Sequence, residues 1–128
     1  MPLTAFDHVN IRTTKLDEMI AWYGAVLDLH PGRRPPFAFD GAWLYLGETA
    51  VIHLVVCPDP CAPGEALSLE HFAFRAKGMA DIRARLTEKG VPYTIDPVPG
   101  FPVVQINLND PEGNHIHIDF DAAEAEAA

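Results

Sequence analysis

A chain of 128 residues that is 48% hydrophobic has the size of one ordinary domain and can bury a core without a structural metal or a disulfide framework. Its formal charge of -9 works against non-specific binding to nucleic acid or to anionic membrane surfaces, which leaves a small molecule as the partner easiest to defend. No apolar run approaches the roughly 18 residues of a membrane span, and the opening MPLTAFDHVN lacks a charged and then apolar leader pattern, so a cytoplasmic protein is the expectation.

The first segment, AFDHVNIR, alternates: Phe6, His8, Asn10 and Arg12 fall on one face and Asp7, Val9 and Ile11 on the other, as in a half-buried strand. Leu16, Met19, Ile20, Tyr23 and Leu27 then recur at helical spacing. Thr13 or Thr14 is available as N-cap and Pro31-Gly32 as the stop, which predicts a helix of about three turns. Beyond a proline-rich loop, RRPPFAFDG, the segments AWLYLG and TAVIHLVV read as strands joined by the turn GET. Both cysteines, Cys57 and Cys61, lie in CPDPCAPG; with no second pair to complete a zinc site, reduced linker thiols are the simplest reading.

The element order then starts again. LEHFAFRA reads as a strand, GMADIRARLTEKG as a helix with Met79, Ile82 and Leu86 on one stripe and Gly90 at its end, and VPYTI as a strand. VVQINLN and HIHIDF make a closing hairpin around the turn sequence DPEGN. The last eight residues, DAAEAEAA, are acidic and low in complexity, so a disordered tail is expected over 121–128.

Laying DHVNIR over EHFAFR matches His8 with His71, Arg12 with Arg75 and Leu16 with Met79 at a single offset; His53 of VIHLV falls opposite His117 of HIHID one residue later. The sequence therefore reads as α+β: two tandem βαβββ units, 4–56 and 67–120, joined by a proline-rich linker at 57–66 within one domain, 1–128. Such units form a curved mixed sheet around a central trough with the helices outside. Alternation puts His8, His53, His71 and His117 on the concave side, where four neutral imidazoles could hold a divalent metal. A lone strand histidine is more often a half-buried structural residue; four at repeat-related positions shift that balance.

His115 opens the last strand and is assigned a supporting role beside the ligands, and His30 sits by the helix stop. Phe37, Phe39, Trp43 and Tyr45 could line a site for a planar or apolar ligand, or could equally be core. Arg12 and Arg75 could hold a substrate carboxylate or sit solvated at strand ends. Arg33 and Arg34 flank the loop as candidates to guard its entrance. There is no glycine-rich phosphate loop and no serine nucleophile elbow, so nucleotide-binding and hydrolase readings lack a motif.

The chain resembles the vicinal-oxygen-chelate superfamily, which includes glyoxalase I, bleomycin-resistance proteins, fosfomycin-resistance thiol transferases, methylmalonyl-CoA epimerases and extradiol dioxygenases. FDHVNIR and LDEMIAWYGAVLDLHPG are similar to that family's opening strand and helix, AVIHLV to its fourth strand, LEHFAFR to its fifth and NDPEGNHIHIDF to its closing hairpin. The match spans residues 5 to 120. It implies metal ligands at His8, His53 and His71, and puts His117 where the family usually has a glutamate. It further implies a divalent ion (iron, nickel, zinc or manganese), a small oxygen-bearing chelating substrate and a homodimer.

The histidine at 117 is the informative departure. In relatives resembling glyoxalase I a carboxylate ligand doubles as the base, and here no ligand position carries one. Four neutral imidazoles leave the ion's charge uncompensated, which favours an anionic chelating substrate such as a catecholate, an enediolate or a hydroxy acid. The resemblance to ring-cleaving relatives would allow dioxygen chemistry, but those place no ligand on the fourth strand. The expected function is a glyoxalase- or dioxygenase-like metal-dependent enzyme; the alternative is a non-catalytic small-molecule binding protein of the bleomycin-resistance type.

Overall fold

A computed structural model describes residues 5–57 and 69–127. The chain divides into two compact units, Met1–Ala66 and Leu67–Ala128. The first holds β1 (Val9–Thr13), α1 (Leu16–Leu27), β2 (His30–Pro31), β3 (Gly41–Leu46) and β4 (Thr49–Val56), with sheet order β1-β4-β3-β2. The second holds β5 (Phe72–Arg75), α2 (Met79–Glu88), β6 (Thr94–Pro97), β7 (Val103–Asn109), β8 (His115–Asp121) and α3 (Ala123–Ala127), with sheet order β5-β8-β7-β6. In each sheet the first and last strands pair in parallel while the other pairs are antiparallel. These are the two tandem βαβββ units of an α+β fold that the periodicity predicts. Among the described residues no helix is long and apolar enough to cross a membrane.

In the first unit α1 buries Met19, Tyr23 and Val26, three positions on one helical stripe. The facing strand residues Ala42, Leu44, Ile52 and Leu54 are buried with them. Complete burial of side chains this large contributes on the order of 2 kcal/mol each, which fixes which face of the sheet is inside. The opposite face of β3 and β4 carries Trp43, Tyr45 and His53.

The start of α1 differs from the expected threonine cap. Thr13 ends β1, fully buried, and its Oγ1 accepts the Lys15 amide at 2.9 Å, so Lys15 occupies the N-cap position without a side-chain cap. The helix ends at Asp28, not at Pro31-Gly32: Asp28 takes a left-handed conformation (φ 60°) that aspartate tolerates, and the Leu29 amide turns back to the Tyr23 carbonyl.

In the second unit Val104, Ile106 and Leu108 of β7 and Ile116, Ile118 and Phe120 of β8 are buried on one face. Gln105, Asn107, Asn109, His115, His117 and Asp119 share the other, as strand alternation requires. The turn between these strands is tied by Asp110, which is 5% exposed. Its Oδ1 accepts the amides of Glu112 and Asn114 at 2.9 Å and its Oδ2 accepts the Asn114 side-chain amide at 2.8 Å. Gly113 supplies the positive φ of 86° that closes the turn.

Three expectations are corrected. Residues 123–127 form a helix where a disordered tail was expected: Glu124 Oε1 accepts the amides of Gly78 and Met79, each at 2.9 Å, and so satisfies the exposed N-terminus of α2. Cys57 is disulfide-bonded rather than a free thiol. The chain's other cysteine, Cys61, lies outside the described residues, as does nearly all of the linker expected at 57–66. Finally, His8 and His71 each stand one residue before a strand rather than within one, because parallel pairing begins at Val9 and at Phe72.

Candidate metal centre

In the first unit the β3–β4 register sets Trp43 opposite His53. The two rings stack at 3.9 Å with 12° between planes, and His8 stacks on His53 at 3.7 Å and 8°. Asp7 Oδ2 lies 2.6 Å from His8 Nδ1, so the ring donates there and leaves Nε2 without a hydrogen-bond partner among the described residues. His53 works the other way round: its Nε2 donates to the Ala50 carbonyl at 3.1 Å, leaving Nδ1 as the lone pair. Parallel rings aim their in-plane lone pairs side by side, so one imidazole must rotate before both can address a single ion.

Burial between two rings holds the His53 pKa below its usual 6.5, and the neighbouring His8 lowers it further against the raising effects of the Ala50 bond and Asp7. The folded state prefers neutral His53, so the stability this site gives is complete above pH 6.5 and falls away as pH drops through the lowered pKa. An NMR titration of the ring protons is expected to give His53 a midpoint below 6.5; a midpoint at or above that value would contradict the sandwich.

In the second unit Ala73 pairs with His117 and Phe72 with Ile116, which brings His71 level with His115. The His71 ring is 4.4 Å from that of His117 and 5.2 Å from that of His115, tilted against both. Tilted rings can converge on a point where stacked rings cannot. His71 Nδ1 is in close contact with Glu70 Oε2, and His117 Nδ1 lies 2.7 Å from Asp119 Oδ1. Both leave Nε2 as the free donor atom.

His115 is differently placed. Its Nδ1 faces Glu70 Oε1 at 3.0 Å, and its Nε2 faces Asn107 Oδ1 at 2.8 Å. The Asn107 amide is oriented by its own bond to Asp96 Oδ2 at 3.0 Å. Ligand atoms of Glu70, His71 and His115 do lie within 4.8 Å of one another. While these bonds stand, however, the carboxylate is shared between two imidazoles and neither nitrogen of His115 is free. The hydrogen bonds from His71 first, then from His115, hold the Glu70 carboxyl below the usual carboxylate range, so it stays ionised as their acceptor.

A common arrangement emerges. Each of His8, His71 and His117 has a carboxylate on Nδ1, and His53 has a carbonyl on Nε2. A metal-binding histidine characteristically gives its second ring nitrogen to such an acceptor, which fixes the tautomer and raises the basicity of the other nitrogen. The donor set therefore fits a divalent ion such as zinc, iron or nickel. Ligand spacing alone does not assign the three carboxylates a role, although the sequence carries their signal: Asp7 and Glu70 are repeat mates in FDH and LEH, and Asp119 shares a face with His117.

The other candidate residues divide. Trp43 joins the histidine stack, and Phe37 lies 6.3 Å from Trp43 and 4.9 Å from Phe39, with which it stacks. Phe37 and Phe39 are 42% and 46% exposed, so they are not core. The Tyr45 hydroxyl donates to the Arg33 carbonyl at 2.7 Å. Arg12 and Arg75 are exposed on β1 and β5, and Arg75 pairs in register with Asp119.

Residues 5–118 match the family model described as Glyoxalase/Bleomycin resistance protein/Dioxygenase superfamily. The chain is 32% identical over 123 residues to the Arabidopsis thaliana protein named Glyoxylase I 4, covering 91% of this chain and 70% of that one. Solved structures with the same fold include a glyoxalase-family protein from Bacillus anthracis (TM-score 0.76, 22% identity, 93% of this chain and 96% of that one). A lactoylglutathione lyase from Agrobacterium tumefaciens follows at TM-score 0.70 and 19% identity, with 94% and 96% of the two chains covered. At these identities the structures speak for the fold. The family model covers most of the chain, and with the repeated βαβββ units and the paired histidines already described, it shows that this protein belongs to the glyoxalase/bleomycin resistance protein/dioxygenase superfamily.

Proposed function

We propose that this chain is a metal-dependent enzyme of the glyoxalase type, acting on a small substrate that chelates through two oxygens, with His8, His53, His71 and His117 as the ligands. The observation that carries the reading is the set of acceptors behind those imidazoles: Asp7, the Ala50 carbonyl, Glu70 and Asp119 each occupy one ring nitrogen and leave the other for an ion. A divalent ion bound there supplies Lewis acidity toward a chelated oxygen. The protein's own residues do the rest. Phe37, Phe39, Trp43 and Tyr45 form an aromatic wall, Arg12 and Arg75 are available to a substrate carboxylate, and His115 supports His71 through Glu70. The Arabidopsis relative's name favours glyoxalase-like isomerisation over dioxygenase chemistry. In this reading the working form is a homodimer, as the resemblance implies, and it works in the cytoplasm.

Elemental analysis of protein made without a histidine tag tests the proposal. Near-stoichiometric iron, nickel, zinc or manganese in the wild type, lost in His8→Ala, is the expected result. Absence of metal after anaerobic reconstitution with each ion would overturn it and leave a metal-free binding protein as the better account.

A further inference from the structure

The first unit contains a cleft of about 810 Å³ lined by Arg33, Arg34, Trp43, Tyr45 and Glu48, with Pro35 and Pro36 along its edge. That volume suits a drug-sized or metabolite-sized molecule. Among these residues two guanidiniums stand against one carboxylate, a local excess of positive charge in a chain whose net charge is -9.

The cationic rim is held in place. Gly32 lies on the Tyr45 ring so closely that a Cβ there would come within 2.7 Å of it, and the Gly32 amide donates to the Trp43 carbonyl at 3.1 Å. The Tyr45 hydroxyl secures the Arg33 carbonyl. Arg34 donates from Nη2 to the Phe39 carbonyl at 2.8 Å and sits over the Phe37 and Phe39 rings at 5.0 and 5.2 Å. Gly41 leaves room for that guanidinium, since a Cβ at 41 would lie 3.0 Å from Nη2. Arg34 Nε is buried with no acceptor, and the exposed Arg33 guanidinium has no carboxylate partner among the described residues.

A loop stiffened by two prolines and tethered by these contacts has less entropy to lose when it binds an anion. The floor supplies the second half of the recognition. Trp43 gives one face to His53 and lines the cleft with the rest of its ring, beside Tyr45. A molecule on this floor abuts the stack that ends in two of the proposed ligands.

We propose that this cleft is the specificity pocket for a planar organic anion, with Trp43 and Tyr45 against its ring system and the Arg33 guanidinium on its carboxylate, held in position by the strap that Arg34 clasps. The assignment of the anion as substrate rests on the function proposed above, whereas the binding itself does not.

Calorimetric titration of metal-free protein with 2-naphthoate and with its neutral counterpart 2-naphthalenemethanol separates the two. The carboxylate is expected to bind at least about tenfold more tightly. Arg33→Gln, at an exposed position, should bring the two within about threefold of each other, while Trp43→Ala weakens both and Trp43→Phe retains most of the affinity. Equal affinity of the two probes, a preference that survives Arg33→Gln, or saturation by neither would overturn the proposal. Naphthoate binding to a protein that takes up no metal under any condition would leave the cleft standing and sink the metalloenzyme reading instead.

Discussion

The His117→Ala protein is expected to bind zinc or cobalt at least about 100-fold more weakly than the wild type and to lose turnover with it, while His115→Ala should lose less than about tenfold. The two residues lie two positions apart on β8 and share a face, so their difference comes from hydrogen bonding. His117 is 8% exposed, with Asp119 on Nδ1 and Nε2 free, whereas both nitrogens of His115 already face oxygens. Removing His117 takes away a proposed ligand; removing His115 frees Glu70 from one of its two partners and leaves the other in place. Asp119→Asn gives an intermediate case: the imidazole remains, but its tautomer is no longer set by a full negative charge, and a loss of roughly 10- to 100-fold in metal affinity is expected. Competition with a chromophoric chelator measures all three. A larger loss in His115→Ala than in His117→Ala would mean that the ion sits among Glu70, His71 and His115.

Asp110→Ala should cost about 3 kcal/mol, visible as a fall in Tm of roughly 10 °C in thermal denaturation followed by circular dichroism. One buried carboxylate accepts three N–H donors in this turn, two from the backbone and one from Asn114. Alanine leaves all three without their acceptor, and hydrogen bonds to a charged group contribute about 1.5–3 kcal/mol apiece without adding independently. Asp110→Asn keeps an oxygen at the site and should recover about half of the loss. The functional cost follows from position. His115 is the first residue after this turn, so a hairpin that slips by one residue would turn His115, His117 and Asp119 toward the apolar side.

The sequence was most informative where periodicity acts. Met19 and Tyr23 on the helical stripe and alternating strands such as Val103–Asn109 repeat at intervals that side-chain direction dictates, and the duplication repeats the pattern in both halves; the stripe's last buried position is Val26, where the spacing predicts Leu27. What escaped was set by single contacts between residues distant in the chain. The helix at 123–127 forms around the Glu124 carboxylate because the amides of Gly78 and Met79 need an acceptor, a need invisible in an alanine-rich, acidic tail. The placement of His8 and His71 outside their strands depends on where parallel pairing starts, which alternation does not mark. The carboxylates behind the histidines are marked by adjacency alone: an acid one or two residues from an imidazole follows no period, and only the folded backbone sets its oxygen against Nδ1.

The parallel pairing of β1 with β4 and of β5 with β8 also has a consequence for the order in which the chain assembles. Antiparallel neighbours such as β7 and β8 meet across a short turn, whereas His8 reaches His53, and His71 reaches His117, only after everything between them has folded back. Those are the contacts with the greatest loop-closure entropy against them in each unit. An ion gripped by such a pair acts as a clasp on the longest loop, so metal should slow unfolding most where the first strand of a unit leaves its last.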